Sequence, residues 1–425
     1  MDKGTKLRFL IHNILYDIKK NNINLDSYKI SEKVNLFNKR DISFIYNVCL
    51  NTMRYSFHCE KIIKLFVNKK QNINELILLK SAITQIVFLN FTEYAVVNSS
   101  VNIAKKINIY HGFINSLLKK ISFEKQKLKM IEISFTDLPD WFVSSNLNLE
   151  FEEKESFLNT FYEEPSLHFV FKNKNFLESF ENNIVNTSNK SGFVNEKIEI
   201  QKIDSYKKGY WWIQDFSSFY PLQHSIKSFF KEKSKIKAID LCAAPGGKGF
   251  QLLADGINVT LNDKNKKRIN TLKKNLLRLE MNAKILNCDV LDLDNKEKYN
   301  LIILDAPCTA IGTIRKNPEI FFKRKGPDLY NLKNLQSNML NKAASLLENN
   351  GIIIYMVCSF IKLETFDQID NFLSNHRKFS LEKISINEET KYKVSTKNNC
   401  LYSLPFKISN YKSDGYFAAI LKKSR

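Results

Sequence analysis

Proline and glycine are almost absent from the first third of this 425-residue chain. The first proline is Pro139, and only Gly4 and Gly112 precede it among the glycines. Both residue types interrupt helices, so a long stretch with so few of them favours helical structure. Apolar residues recur in this stretch at three- and four-residue spacing, and one such stripe consists of Leu7, Leu10, Ile11, Ile14 and Leu15. We therefore predict an all-helical N-terminal region whose stripes form its core.

Long apolar runs and paired cysteines are missing as well. No stretch approaches the roughly 18 apolar residues of a membrane-spanning helix, and the first residues do not resemble a signal peptide. The seven cysteines include no CxxC pair, which argues against a zinc site and favours reduced thiols. We expect a cytoplasmic protein with no metal and no membrane partner.

Acidic residues are outnumbered by basic ones, 44 to 65, which gives a net charge of +21. Such a charge favours polyanionic partners, with nucleic acid ahead of a membrane surface. Residues 1–140 hold 22 basic and 12 acidic residues, about half of the whole surplus. Lysine greatly outnumbers arginine, and asparagine and isoleucine are abundant, so compositional bias alone could explain part of the charge.

The patterns of the chain change twice along its length. Residues 131–198 contain short apolar runs such as 167–171 and many aromatics, which predicts a small α+β connector. Residues 199–425 alternate between strand and helix patterns, which predicts a parallel sheet wrapped by helices. The strands are expected at 238–241, 259–263, 301–305 and 352–356, and helices at 264–280 and 331–347. We therefore predict three domains, at 1–130, 131–198 and 199–425.

A glycine-rich turn follows the first of these predicted strands. Its sequence is Asp240-Leu241-Cys242-Ala243-Ala244-Pro245-Gly246-Gly247-Lys248, and a helix is expected directly after it. Glycines let the backbone approach a ligand, and a helix N-terminus offers free N–H groups. Asp263 ends the next strand, where its carboxylate could accept hydrogen bonds from both hydroxyls of a ribose. The pattern predicts a nucleotide-type cofactor site, and the alternative is a structural turn beside a surface aspartate.

Two cysteines follow the later strands of this region. Cys308 ends the segment Asp305-Ala306-Pro307-Cys308, and Cys358 begins the pair Cys358-Ser359. A single cysteine beside a strand is usually a core residue. Two cysteines at the carboxyl ends of two strands, beside a predicted cofactor turn, are harder to explain as core residues alone.

Together these three segments resemble the Sun-type family of RNA cytosine-5 methyltransferases. The resemblance runs in order through nearly all of residues 200–425, and its other matching segments are Gln214–Ser218, Arg315–Pro318, Gln336 and Asp414–Phe417. It implies a Rossmann-like class I methyltransferase fold and S-adenosyl-L-methionine as the cofactor.

The same resemblance implies the roles of individual residues. Cys358 would be the covalent nucleophile, Cys308 would help to release the product, and Asp305 would contact the cytosine, the cofactor or both. The residues implied to bind the cofactor are Cys242, Ala243, Ala244, Pro245, Gly246, Gly247, Lys248, Asp263, Asp289 and Asp305.

The N-terminal region resembles the NusB-type helical RNA-binding domain. The segments that carry this resemblance are Leu79–Gln85, Tyr94–Asn98, Val101–Lys105 and Gly112–Leu118. A NusB-like domain ahead of such a catalytic domain is the arrangement of the bacterial ribosomal RNA small-subunit methyltransferase B subfamily. The resemblance implies an enzyme that methylates 16S ribosomal RNA, and we expect the protein to be a monomer. The alternatives are the same reaction on transfer RNA, or a non-catalytic RNA-binding or ribosome assembly factor.

Three segments depart from the family's usual pattern. Val357 precedes the nucleophile where the family has threonine, and Thr309-Ala310 follow Cys308 where it has Ser-Gly. The run 168–171 stands where an arginine-containing strand is usual. The first two changes are small in volume, and the third affects the connector.

Overall fold

The computed structural model describes residues 1–27, 37–146, 149–194, 198–229, 232–384, 395–408 and 410–425. Contacts divide the chain into two compact units. The first, here called the helical unit, combines Met1–Glu163 with Ile314–Gly326, and the second, the sheet unit, combines Glu164–Thr313 with Pro327–Arg425. The boundaries predicted at 130 and 198 do not coincide with this division, because residues 131–163 group with the helices and residues 164–198 with the sheets.

The helices of the described residues include those predicted around the stripe 7–15, directly after the glycine-rich turn, and over 264–280 and 331–347. They are α1 Lys3–Asn21, α2 Lys39–Arg54, α3 Ser56–Phe66, α4 Ile73–Ile83, α5 Glu93–Lys106, α6 His111–Phe123, α7 Lys125–Leu128, α8 Asp140–Ser145, α9 Phe151–Leu158, α10 Lys174–Glu178, α11 Asp204–Lys207, α12 Phe216–Phe229, α13 Gly247–Ala254, α14 Lys266–Arg278, α15 Glu319–Phe322, α16 Leu329–Leu346 and α17 Phe366–Asn375. None of these helices is long and apolar enough to cross a membrane.

Sequence signals at the helix ends and on the helix faces account for the helical unit. Asp2 caps α1, and its carboxylate accepts a hydrogen bond from the Thr5 N–H at 2.9 Å. A capping box of Asn72 and Glu75 begins α4, which satisfies two backbone N–H groups that the helix itself cannot pair. In the predicted stripe of α1, four of the five residues are buried, namely Leu7, Ile11, Ile14 and Leu15. The all-helical fold predicted for the N-terminal region is therefore confirmed.

The segment Ile314–Gly326 belongs to the helical unit although its position in the chain predicts a place in the catalytic domain. The ring of Phe321 packs against Phe142 with centroids 4.9 Å apart, and Phe322 joins the apolar core around α1 and α2. Arg54 donates a hydrogen bond to the Arg315 carbonyl at 2.9 Å. This segment therefore groups with the helical unit, because its two phenylalanines are buried among the helices.

The strands that the structure describes in the sheet unit form three sheets. They are β1 Leu167–Phe171, β2 Ile184–Ser188, β3 Ser191–Val194, β4 Trp211–Ile213, β5 Lys237–Asp240, β6 Asn258–Asn262, β7 Lys284–Leu286, β8 Tyr299–Asp305, β9 Leu347–Val357, β10 Phe379–Glu382, β11 Ser395–Lys397, β12 Cys400–Ser403, β13 Phe406–Ile408, β14 Tyr411–Ser413 and β15 Tyr416–Lys423. The smaller sheets are β2-β3-β1-β4 and the pair β13-β14.

Within the described part of the chain, the large sheet has nine strands and is mixed. Its order is β11-β12-β15-β9-β8-β5-β6-β7, with β10 paired to β15. The strands from β9 to β7 run parallel, as predicted, whereas β15 runs antiparallel to β9 and continues an antiparallel edge. The strand order reverses between β5 and β8, and in such sheets the ligand crevice lies at the carboxyl ends of the strands flanking that reversal. The Rossmann-like methyltransferase fold predicted for this part of the chain is confirmed.

Candidate active site

A cavity of about 320 Å³ lies at the carboxyl ends of the parallel strands. Its walls include residues at or just after the ends of five parallel strands, β5 to β9, so the sheet brings together positions that are far apart in the chain. The predicted site residues among its walls are Cys242, Asp263, Asp289, Asp305, Cys308 and Cys358. The loop residues Ala243, Ala244, Pro245, Gly246, Gly247 and Lys248 are not among the residues that line it.

The loop after β5 is held by its own backbone and by β6. The Ala243 N–H donates to the Asn262 carbonyl at 2.8 Å, and the Asn262 amide donates to the Leu241 carbonyl at 3.1 Å. Gly246 has a φ of 125°, and a Cβ there would collide with the Phe250 ring. Only glycine fits this turn without strain, because its φ and its packing both exclude a side chain.

Asp263 is almost fully buried and already engaged. Its carboxylate accepts hydrogen bonds from the N–H groups of Ala244 at 3.2 Å and Asn265 at 2.8 Å, and it lies 3.4 Å from the Arg268 guanidinium. The sequence did not indicate Arg268 as a partner. Asp263 therefore joins the turn after β5 to the start of α14, and its expected bond to a ribose remains a prediction.

The two predicted catalytic cysteines lie side by side. Their Sγ atoms are 3.4 Å apart, which is hydrogen-bonding distance for two sulfurs. Both side chains are partly buried. The hydrogen bond with Cys358, together with burial, raises the pKa of Cys308 well above its ordinary range. Cys308 is therefore a protonated thiol at neutral pH and a poorer nucleophile than a thiolate would be.

Asp305 links the end of β8 to two other side chains. Its carboxylate accepts a hydrogen bond from Lys248 Nζ at 2.6 Å and from the Tyr416 hydroxyl at 3.2 Å. Burial lowers the pKa of Lys248, but the charge and hydrogen bond of Asp305 outweigh this effect and raise it overall. Burial and the nearby Asp305 raise the pKa of Tyr416 well above its ordinary range. The carboxylate of Asp305 therefore accepts hydrogen bonds from the cationic Lys248 and from the neutral hydroxyl of Tyr416. The sequence had assigned Lys248 to the cofactor and no role to Tyr416.

The departures from the family pattern have structural explanations. Val357 is fully buried in β9, where its volume resembles that of threonine. Thr309 keeps the hydroxyl of the usual serine. His168, in the atypical strand β1, is buried, and its ring nitrogens lie 2.7 Å from the Gln214 carbonyl and 2.8 Å from the Thr187 hydroxyl. It therefore serves packing within the small sheet.

Ala310 carries backbone strain beside the active site. Its φ is 58°, a left-handed conformation that an L-residue with a Cβ adopts at a cost of about 1–2 kcal/mol. Nearby, the Gly312 N–H donates to the Cys358 carbonyl at 3.0 Å, and the Gly312 carbonyl accepts from the Gly415 N–H at 2.9 Å. The loop after Cys308 is therefore fixed against Cys358 and Gly415, and this fixed path imposes the conformation of Ala310.

We expect Ala310→Gly to raise the free energy of unfolding by about 1 kcal/mol, because glycine adopts this φ without a steric penalty. Urea denaturation of the two proteins measures the difference. The same replacement in helix α16, Ala344→Gly, is the control and should lower stability by about 1 kcal/mol. A destabilised Ala310→Gly protein would show that the conformation carries no strain.

Comparisons with known proteins place this site in a family. The profile of the 16S rRNA methyltransferase RsmB/F family matches residues 228–422, and that of the NusB family matches residues 5–123. Residues 228–422 belong to the RsmB/F family and residues 5–123 to the NusB family. Every residue that lines the cavity lies within the RsmB/F-family region.

Similar proteins span nearly the whole chain. The chain is 28% identical over 413 residues to the probable ribosomal RNA small subunit methyltransferase B of Coxiella burnetii, covering 87% of this chain and 93% of that protein. It is 26% identical to the ribosomal RNA small subunit methyltransferase B of Pasteurella multocida, covering 81% and 82%. The crystal structure of PH0851 shares the fold, with a TM-score of 0.72 at 20% identity, over 100% of this chain and 99% of that one. The order of a NusB-family region followed by an RsmB/F-family region is therefore confirmed.

Proposed function

We propose that this protein transfers a methyl group from S-adenosyl-L-methionine to carbon-5 of a cytosine in 16S ribosomal RNA, through a covalent bond to Cys358. The observation that carries the proposal is the pair of thiols 3.4 Å apart beyond the adjacent strands β8 and β9. The names of the similar proteins, which specify ribosomal RNA small subunit methyltransferase B, support the substrate.

The chemistry of the cavity suits the proposed cofactor. Carboxylates at the ends of β6 and after β7, Asp263 and Asp289, are suitable acceptors for ribose hydroxyls and an adenine amine. Leu241, Val290 and Met339 add apolar surface for the purine. When bound, S-adenosyl-L-methionine supplies an electrophilic methyl group. Cys242, Asp263, Asp289 and Asp305 would hold it, with the turn from Ala243 to Lys248 as the supporting backbone.

The protein's own groups would drive the reaction as follows. The thiolate of Cys358 adds to carbon-6 of the cytosine, and the electron pair of the 5,6 double bond becomes available for a new bond from carbon-5. After methylation, carbon-5 loses its hydrogen as a proton to water, the electron pair of that bond re-forms the 5,6 double bond, and the bond from carbon-6 to sulfur breaks so that Cys358 leaves as a thiolate. The ammonium group of Lys248 supplies positive charge that stabilises the negative charge passing from the sulfur into the ring. Cys308 would assist the last step, in which Cys358 leaves.

The basic helical unit is the proposed contact for RNA beyond the target base. The target must leave its stack to reach a cavity of this kind, while the remaining affinity comes from phosphate contacts and single-stranded elements. The match of residues 5–123 to the NusB family and the basic surplus of residues 1–140 support this assignment.

Methylation of defined RNAs tests the proposal. The purified protein is incubated with methyl-labelled S-adenosyl-L-methionine and either 16S ribosomal RNA or transfer RNA, and bisulfite sequencing then identifies the product base. We expect label in a cytosine of 16S ribosomal RNA. Label in transfer RNA alone would change the substrate, label in another base would refute the chemistry, and RNA binding without methylation would favour an assembly factor.

We expect Asp263→Ala to weaken the binding of S-adenosyl-L-methionine by about tenfold or more. The change removes a proposed ribose acceptor and releases the Ala244 N–H, and one lost charge-assisted hydrogen bond corresponds to about 1.5–3 kcal/mol. Calorimetric titration with the cofactor measures this affinity, and circular dichroism confirms that the variant is folded. Asp255→Asn, in the same unit but outside the cavity, is the control. Unchanged affinity in the folded Asp263→Ala variant would remove Asp263 from the cofactor site.

A further inference from the structure

Glu364 is a fully buried carboxylate close to both cysteine loops. It ends the short 3-10 turn Lys362–Glu364, six residues after Cys358, and its side chain is completely inaccessible to solvent. A buried carboxylate is costly unless hydrogen bonds replace its water. Its surroundings must therefore provide enough donors to retain it.

Four hydrogen bonds converge on this carboxylate. Oε1 accepts from the Thr309 N–H at 2.8 Å and from Gln336 Nε2 at 3.1 Å. Oε2 accepts from the Thr309 hydroxyl at 2.6 Å and from the Ser359 hydroxyl at 2.5 Å. An ionised carboxylate has about four acceptor sites, so all of them are used. These four donors satisfy the Glu364 carboxylate, and none of them belongs to a charged side chain.

The donors come from the residues that adjoin the two thiols. Thr309 directly follows Cys308, and Ser359 directly follows Cys358. Gln336 also donates to the carbonyl of Pro307, the residue before Cys308, at 2.9 Å. One carboxylate therefore fixes the backbone on one side of each cysteine, and through Gln336 it fixes the other side of Cys308 as well.

We infer that Glu364 is the positioning residue that sets the contact between the thiols of Cys308 and Cys358. The inference rests on the proposed function for its kinetic consequence, whereas the geometric claim stands without it. A glutamine at this position would have one acceptor oxygen and would turn an N–H₂ group toward at least one of the present donors. The hydroxyls of Thr309 and Ser359 would have to reverse and accept from that group, and all four hydrogen bonds would lose the negative charge that strengthens them, so the two loops would be held less firmly. A misplacement of about 1 Å in a catalytic pair can reduce the rate by about 100-fold.

The experiment compares Glu364→Gln with wild type by a measurement that needs no RNA. Diamide accepts two electrons and two protons from two neighbouring thiols, which become a disulfide. Because the Sγ atoms of Cys308 and Cys358 are 3.4 Å apart, we expect this disulfide to form quickly in wild type. We expect its rate to fall at least about tenfold in Glu364→Gln, as measured by peptide mass spectrometry.

Three variants separate positioning from general damage. Glu297→Gln makes the same chemical change on a carboxylate that pairs with Lys237 and Lys284 near the surface, and its disulfide rate should equal that of wild type. Thr309→Val, which loses the hydroxyl, should behave like Glu364→Gln, whereas Thr309→Ser should restore the wild-type rate. If Glu364→Gln does not fold, the comparison of Thr309→Val with Thr309→Ser gives the same test.

The kinetic arm uses methyl transfer to RNA. For the slowed variants we expect kcat to fall about 100-fold while KM for RNA changes less than about threefold, since RNA contacts are not altered. An unchanged disulfide rate in folded Glu364→Gln and Thr309→Val would overturn the inference. A slowed disulfide rate together with a wild-type protein that does not methylate RNA would instead refute the proposed function and leave the positioning role in place.

Discussion

Replacing Cys358 by alanine should abolish methyl transfer and leave no covalent protein–RNA product. In the proposed reaction the bond from sulfur to carbon-6 makes carbon-5 nucleophilic, and no other step can proceed before it. The hydrogen bond from Cys358 is lost in this variant, but burial also raises the pKa of Cys308 and favours its protonated thiol, so we do not expect Cys308 to replace the missing nucleophile. Methyl transfer with labelled cofactor and a denaturing gel with labelled RNA measure the two outcomes.

The opposite behaviour is expected when Cys308 is replaced by alanine. This variant should still attack and methylate the cytosine, but the product should remain bonded to Cys358. The gel should then show a persistent protein–RNA band that protease digestion removes. Cys400→Ala is the control, because it removes a buried thiol from β12 that does not line the cavity.

Two results would contradict these assignments. A persistent band in the Cys358 variant, with none in the Cys308 variant, would reverse the two roles. Methylation in both single variants would refute covalent catalysis, and the two cysteines would then be core residues.

Asp305→Asn should lower the rate of methyl transfer by about 100-fold or more while the protein stays folded. The wild-type carboxylate accepts hydrogen bonds from Lys248 and Tyr416, and it holds Lys248 as a cation. The neutral amide preserves the shape but removes the counter-charge, so the lysine is no longer fixed in position or charge. Losing one oriented electrostatic interaction in an active site typically reduces the rate by about 10²–10³.

Asp255→Asn is a matched control, because Asp255 also pairs with a lysine, Lys190, at 2.8 Å in the same unit. Its rate should stay within about twofold of wild type. A second measurement identifies the step that Asp305 serves: in a Cys308→Ala background, Asp305→Asn should slow the appearance of the protein–RNA band. A rate above about one third of wild type in Asp305→Asn would exclude this residue from the reaction.

Local sequence patterns were enough to predict the parallel strands of the large sheet. They also predicted that the candidate residues lie at the carboxyl ends of these strands, where the cavity is found. The predicted strand 301–305 forms the end of β8, and the predicted strand 352–356 forms part of the longer strand β9. A short apolar segment bounded by turn residues has few structures open to it other than a buried strand. Cys308 and Cys358 could be expected at one edge of the sheet for the same reason.

Contacts between distant side chains could not be predicted in the same way. Glu364 hydrogen-bonds to Thr309, 55 residues earlier in the chain, and nothing in the local sequence distinguishes it from a surface glutamate. The antiparallel strand β15 depends on its pairing with β9. Phe321 and Phe322 would suit any core, so their place among the helices depends on the packing of the whole unit.

The segment Ile314–Gly326 has a consequence for dividing the protein into parts. The chain leaves the sheet unit after Thr313, supplies Phe321 and Phe322 to the helical core, and returns at Pro327. No single cut can therefore release either unit intact, and a fragment beginning at residue 164 would carry two phenylalanines without the helices that cover them. Transferring the N-terminal region to another catalytic domain would require Ile314–Gly326 to be transferred with it. Because the helical unit is built from two separate stretches of the chain, the helical unit and the sheet unit cannot be exchanged as independent modules.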